Sequence, residues 1–253
     1  MSVMSIWTDI FYFLFPRPCC MCGNRLTPQE SSICHACLMH LPYTDYHTVE
    51  HSVLEKQFWG LFPIERAVSM FHHDGDKTRH IIYNIKYYGH PEVAIHLASI
   101  YAQTLKECHF FDDIDCIIPL PLHWRRQMNR GYNQSHYIAR GLHEVTKLPV
   151  LKRVVKRVKN NPSQTHLDAQ QRMENVKGIF RLVHSEMIQG KHLLLIDDVT
   201  TTGATLASCA QELAKVPNVK ISILTLAVAS RTAIPAIEGD NIDVSIFGVP
   251  LME

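Results

Sequence analysis

Leu193-Leu194-Leu195-Ile196-Asp197-Asp198-Val199-Thr200-Thr201-Thr202-Gly203-Ala204-Thr205 is the stretch on which the reading of this chain turns. Four apolar residues make a buried strand, two carboxylates close it, and a threonine-rich turn around Gly203 leads into a helix. In open α/β sheets, ligands bind beyond the C-terminal ends of the strands. Backbone N–H groups and hydroxyls of residues Thr200, Thr201, Thr202, Gly203, Ala204 and Thr205 can face a phosphate there, assisted by the helix N-terminus. The two carboxylates beside them suit sugar hydroxyls, which donate hydrogen bonds. No lysine follows the glycine, and the G-x-x-x-x-G-K-[ST] pattern of a Walker loop is absent.

Outward from this point, strands and helices alternate. Residues 67–71, 114–120, 191–199, 221–229 and 242–247 are short apolar runs that predict strands. Residues 76–88, 91–106, 132–145 and 204–215 carry helical spacing, with Gly89 and Pro91 marking a stop and a restart. Runs with so little polar alternation predict parallel strands covered on both faces, hence a doubly wound, mostly parallel α/β sheet. Residues 7–15 read as a short aromatic-rich helix, and residues 41–63 show no clear period and read as a linker or irregular lobe. The 253 residues are 46% hydrophobic, enough for a sizeable core. No apolar run approaches the ~20 residues that span a bilayer. A soluble, cytoplasmic protein without a signal peptide or stable membrane insertion is expected.

Five of the eight cysteines fall between Cys19 and Cys37. Cys19-Cys20-Met21-Cys22-Gly23 and Cys34-His35-Ala36-Cys37 offer two C-x-x-C knuckles, each pointing two thiolates at one centre. Cys19, Cys22, Cys34 and Cys37 therefore predict a structural Zn²⁺ site, whose ligation supplies folding energy that so short a segment lacks. Cys20 and His35 are further candidates that could replace a thiolate. The predicted organisation is a zinc-binding lobe over residues 1–63 and a sheet domain over residues 64–253.

The acid pair and its loop resemble the PRPP-binding motif of type I phosphoribosyltransferases. The resemblance narrows with Asp115-Cys116-Ile117-Ile118-Pro119-Leu120-Pro121-Leu122, Arg130-Gly131-Tyr132-Asn133-Gln134 and Asn161-Pro162-Ser163-Gln164-Thr165. Arg172, Asn175, Gly178-Ile179-Phe180, Ile85-Lys86-Tyr87-Tyr88-Gly89 and the four-cysteine knuckle add to it. Together these are similar to the ComF family of competence proteins. That resemblance implies a cytoplasmic accessory of natural transformation that handles incoming single-stranded DNA. It also implies Asp197 and Asp198 on ribose hydroxyls, residues 200–205 on the 5-phosphate, and Mg²⁺ bound largely through PRPP's own oxygens.

Charge is segregated. Residues 116–167 hold ten basic side chains and one acid, Glu144, giving +9, while the rest of a chain of net charge +1 carries −8. Such a segment is an electrostatic footprint for polyanions, either pyrophosphate or a nucleic-acid backbone. Arg125, Arg126 and Arg130 follow a predicted strand, where the family resemblance puts a pyrophosphate loop. Lys152, Arg153, Lys156, Arg157 and Lys159 interleave with Leu151, Val154, Val155 and Val158, a pattern compatible with a helix or a hairpin arm. These eight cations are the candidate DNA-binding residues, and Trp124, Tyr132, Tyr87 and Tyr88 are candidate stacking platforms. Three functions follow: a DNA-binding module that retains PRPP or nucleotide binding, an active phosphoribosyltransferase with an unknown acceptor, and a zinc-lobe adaptor for helicase or uptake-channel partners. No residue stands out as a catalytic acid or base.

Overall fold

A computed structural model of the protein describes residues 17–159 and 178–229. The expected elements at 7–15 and 242–247 lie outside them, as do Asn161-Pro162-Ser163-Gln164-Thr165, Arg172 and Asn175. In chain order the first elements are α1 (His35–Met39), α2 (Val53–Lys56), β1 (Ile64–His73), α3 (Gly75–Lys86) and α4 (Pro91–Glu107). Then come β2 (Cys116–Pro119), α5 (Trp124–Arg130), α6 (Gln134–Thr146), β3 (Val155–Arg157) and β4 (Phe180–Leu182). The last are β5 (His192–Thr200), α7 (Ala204–Leu213) and β6 (Lys220–Ala229).

Strands β1, β6, β5 and β2 lie side by side in that order, every pair parallel. Successive strand residues face opposite sides, so Leu194 and Ile196 enter one core and Leu193 and Leu195 the other. The first core is closed by α3, α4 and α6, through Ile81, Ile85, Leu97 and Ile138. The second is closed by α2, α7 and the β3–β4 pair, through Leu54, Leu206, Val155 and Phe180. Both faces of the sheet are thus covered, which explains why its strands are continuous apolar runs rather than alternating ones.

Two segments gain definition from their partners. Residues 152–159 form a hairpin arm, with Val155–Arg157 antiparallel to Phe180–Leu182 and Lys156 opposite Arg181. Residues 41–63, which carry no period, hold α2, whose Ser52 side chain accepts from Glu55 N–H. The same segment buries Leu41, Tyr43, Leu54, Phe58 and Phe62. Its order comes from tertiary packing rather than from periodicity. No helix among the described residues is long and apolar enough to cross a membrane.

Candidate functional site

Strand β5 ends in the acid pair, and the chain must then turn sharply into α7. Gly203 makes that turn with φ +70°, and a Cβ there would meet the Phe58 ring at 2.6 Å. Gln57 Nε2 donates to Thr201 O at 3.1 Å, so residues 57 and 58 brace the loop from below. Neither bracing residue is recognisable from the sequence, because the contact joins segments far apart in the chain. The loop encloses a concavity of about 50 Å³ lined by Asp197 and residues 199–206. Thr200 Oγ1, in a residue only 2% exposed, has no hydrogen-bond partner among the described residues. An unpaired buried hydroxyl costs roughly 1–3 kcal/mol, so an acceptor or donor brought by a ligand would be stabilising there.

Asp197 and Thr205 also border a larger cleft of about 630 Å³, whose walls include Lys86, Arg126, Arg130 and Arg157. Gln134 lines it too, and its Nε2 is likewise buried without a partner among the described residues. The cleft is therefore lined by two carboxylates, one ammonium and three guanidinium groups. That set of groups fits a ligand carrying both hydroxyl donors and phosphate oxygens.

The electrostatics are those of a crowded, partly dry site. Burial and the neighbouring Asp198 push the Asp197 carboxyl up to about 7, against Lys86, the Asp198 N–H and Ser135, which favour its charge. Ser135 Oγ donates to Asp197 Oδ1 at 3.3 Å and Asp198 N–H donates to it at 2.9 Å. Lys86 Nζ lies 3.0 Å from Asp198 Oδ1, with side-chain exposures of 22% and 8%. Burial disfavours the ammonium, but Asp198 and Asp197 outweigh it and hold Lys86 above its ordinary value. Arg157 is brought down to about 10 by burial first and by Arg126 second, while Asp197 opposes the shift. It stays charged at neutral pH.

Of the eight candidate cations, Arg126, Arg130 and Arg157 come together in this cleft. Arg125 is exposed, its guanidinium 5.2 Å from the Trp124 ring centroid. Lys152 lines a different groove of about 650 Å³ along α6, with Tyr132, Tyr137 and Arg140. Arg153, Lys156 and Lys159 are exposed to solvent. Tyr132 Oη donates to Ile85 O at 2.6 Å, which ties α3 to the start of α6. Lys86, which the sequence placed in a family-like string but not among the candidate site residues, is a cation that pairs with the acids and lines this cleft. Its signal was faint: one lysine at the end of an amphipathic helix.

A second cluster lies in the N-terminal part of the described residues. The thiol sulfurs of Cys19, Cys22, Cys34 and Cys37 all lie within 4.8 Å of one another. Cys22 and Cys34 Sγ are 3.8 Å apart, and a tetrahedron with ~2.3 Å metal–sulfur bonds has edges of about 3.8 Å. The four cysteines thus fit a tetrahedral thiolate-bound ion. Burial raises the Cys19 thiol, but N–H groups of Cys34, Cys22 and Met21 overcome it and bring the group down to about 7. Cys20 and His35 stand outside the cluster. Burial pushes Cys20 up to about 12, and His35 Nδ1 lies 3.9 Å from Glu30 Oε1.

No family model matches the chain. It is 37% identical over 134 residues to competence protein F of Haemophilus influenzae, spanning 53% of this chain and 58% of that protein's length. It is 29% identical over 196 residues to DNA utilization protein YhgH of Escherichia coli (strain K12), spanning 76% of this chain and 82% of that one. It is also 26% identical over 214 residues to competence protein ComFC of Bacillus subtilis (strain 168), spanning 80% and 81%.

Proposed function

Because the chain is a homologue of the ComF and YhgH group of competence and DNA utilization proteins, we propose that it is an accessory of DNA uptake that binds single-stranded DNA and a phosphoribosyl ligand. One observation carries the reading. The acid pair and three arginines distant in sequence share one cleft, and the loop's concavity adjoins it through Asp197, Val199 and Thr205. In that cleft the loop takes a 5-phosphate, Asp197 and Asp198 accept from ribose hydroxyls, and Arg126, Arg130 and Arg157 face a pyrophosphate. Buried Thr200 Oγ1 and Gln134 Nε2 supply further polar contacts. Magnesium would arrive with PRPP, held mainly by the ligand's own oxygens and neutralising its charge. Bidentate arginine pairing to phosphate supports the assignment.

The remaining cations, Arg125, Lys152, Arg153, Lys156 and Lys159, serve the DNA backbone. Their exposure favours contacts that track phosphates with little sequence preference. The four-cysteine cluster holds Zn²⁺ and organises residues 1–63 as a lobe beside the sheet domain of residues 64–253. Helicase or uptake-channel proteins are the partners such a lobe would present itself to.

Isothermal titration with Mg-PRPP tests the cleft. Wild-type protein should bind, and Asp197→Ala with Asp198→Ala should abolish binding while the circular dichroism stays unchanged. Absence of affinity of the wild type for PRPP and for nucleoside phosphates would overturn the reading. Pyrophosphate release from PRPP on adding a purine or pyrimidine would move it from a binding module to a transferase.

A further inference from the structure

Arg130 belongs to two places at once. It ends α5 and lines the cleft beside Arg126. Its guanidinium also lies over the Tyr87 ring, 4.9 Å from the centroid, with Nη2 donating to Tyr87 Oη at 3.2 Å. Tyr87 packs in turn against Tyr83, the ring centroids 5.5 Å apart and tilted by 48°. These rings are not core. Tyr83 is 46% exposed, Tyr87 59% and Tyr88 64%, whereas Phe58, Phe71 and Tyr101 are wholly buried. Tyrosines left this open, in the last turn of α3 and just past its end, and with a stacked arginine, leave π-faces for another planar group.

The floor of the cleft limits what can enter it. Asp197 and Asp198 lie side by side, and the Asp197 carboxyl is already hard to ionise in its surroundings. A sugar with free hydroxyls gives these acids donors. A nucleic-acid strand running over the same floor would set a phosphodiester against them, with like charges in a low-dielectric site. A strand is therefore repelled from the acids and accommodated outside them, where Tyr87 and Arg130 line the cleft, Tyr83 packs on Tyr87 and Tyr88 follows it in the chain.

We propose that Tyr83, Tyr87 and Tyr88 form a base-stacking step for single-stranded DNA at the cleft mouth, and that Arg130 is shared between this step and the phosphoribosyl ligand, so that each ligand weakens the other. The proposal rests on the reading of cleft and DNA binding given above. A ligand pyrophosphate draws the Arg130 guanidinium inward, off the Tyr87 ring. The step then loses its cation–π contact. DNA stacked on the step holds Arg130 outward and removes one of three arginines from the cleft. Linkage makes the two effects equal in size.

The test is a fluorescence-anisotropy titration of a labelled oligothymidylate, with and without saturating Mg-PRPP, paired with Mg-PRPP titrations with and without the oligomer. For the wild type, each ligand should raise the dissociation constant of the other by the same factor, about five-fold or more. Inorganic phosphate at matched ionic strength should not reproduce it. Tyr83→Leu with Tyr88→Leu, both exposed and outside the cleft lining, should weaken DNA about five-fold or more and leave PRPP affinity within two-fold. Arg130→Gln should weaken both ligands and bring the coupling factor close to one. A wild type that binds both ligands independently would overturn this proposal alone, as would tyrosine variants with unchanged DNA affinity. A wild type that binds no DNA at low salt would overturn it together with the DNA reading, and one that binds no PRPP would overturn it together with the cleft reading.

Discussion

Lys86 and the two acids form a three-charge group in which each member depends on the others. Lys86→Met would leave Asp198, whose side chain is 8% exposed, without its cation. Losing one partner of a fully buried pair costs ~3–5 kcal/mol. Lys86 is 22% exposed, so a loss of about 2 kcal/mol at pH 8 is expected in urea denaturation, most of it recovered when Asp198→Asn is added. Asp197 behaves oppositely. Its folded carboxyl sits at about 7, above an unfolded value of ~3.9, so the folded state binds more protons than the unfolded one between those values. Its contribution to stability therefore falls as pH rises from about 4 to about 7 and is constant above. Asp197→Asn should raise the melting temperature by about 2–4 °C at pH 8, equivalent to ~1 kcal/mol for a chain of this length. The gain should shrink steadily toward pH 4. The acid pair was legible in the sequence because both residues sit in one local string. Lys86 was not, since nothing near it indicates which acid, more than a hundred residues on, it will meet.

Helices α4 and α6 approach each other at Gly141. A Cβ there would meet Ile95 O at 2.3 Å and Ala98 Cβ at 2.9 Å, and Ser99 Oγ donates to Gly141 O at 3.2 Å. Alanine at an ordinary helix position is worth ~1 kcal/mol over glycine. Here the backbone of the facing helix cannot yield like a side chain, so Gly141→Ala should destabilise instead, by about 1–3 kcal/mol, read as a lower urea midpoint with an unchanged slope. The β3–β4 pair shows a different consequence of geometry. Strand alternation leaves Lys156 exposed and turns Arg157, its neighbour, into the cleft. Arg157→Gln should therefore weaken the phosphoribosyl ligand about ten-fold, the loss of one charge-assisted hydrogen bond, while Lys156→Gln leaves that affinity unchanged; isothermal titration separates them. The sequence was compatible with helix or hairpin here because the deciding partner, Phe180–Leu182, lies more than twenty residues away.

The four-cysteine cluster is not insulated from the sheet. Cys19, Cys34, Leu38 and Tyr43 belong to the same apolar cluster as Ile81, Ile85 and Leu97. Asn84 Nδ2 donates to Cys20 O at 3.2 Å, and Tyr43 bridges to Phe71 of β1. Removing the ion should therefore lower the melting temperature of the sheet domain as well as loosen the lobe. A strong chelator should shift the main calorimetric transition down by several degrees rather than delete a separate early one. Cys34→Ser should lose metal and show the same shift, whereas Cys20→Ser, outside the cluster, should keep one ion per chain. An unshifted main transition after complete metal loss would show that the two parts are energetically independent.

From residues alone it followed that the chain alternates strand and helix, that the strands of its main sheet are parallel and doubly covered, that four named cysteines converge, and that an acid pair stands before a threonine-rich turn into a helix. All of these rest on spacings of a few residues, where backbone geometry ties sequence period directly to direction in space. The companions of that acid pair were decided by folding. Lys86 from α3, Arg126 and Arg130 from α5, and Arg157 from β3 meet at one cleft, Phe58 supports Gly203, and Arg130 rests on Tyr87. Each contact depends on how separate elements cross and in what register they pair, which burial of both sheet faces selects cooperatively and no local period encodes.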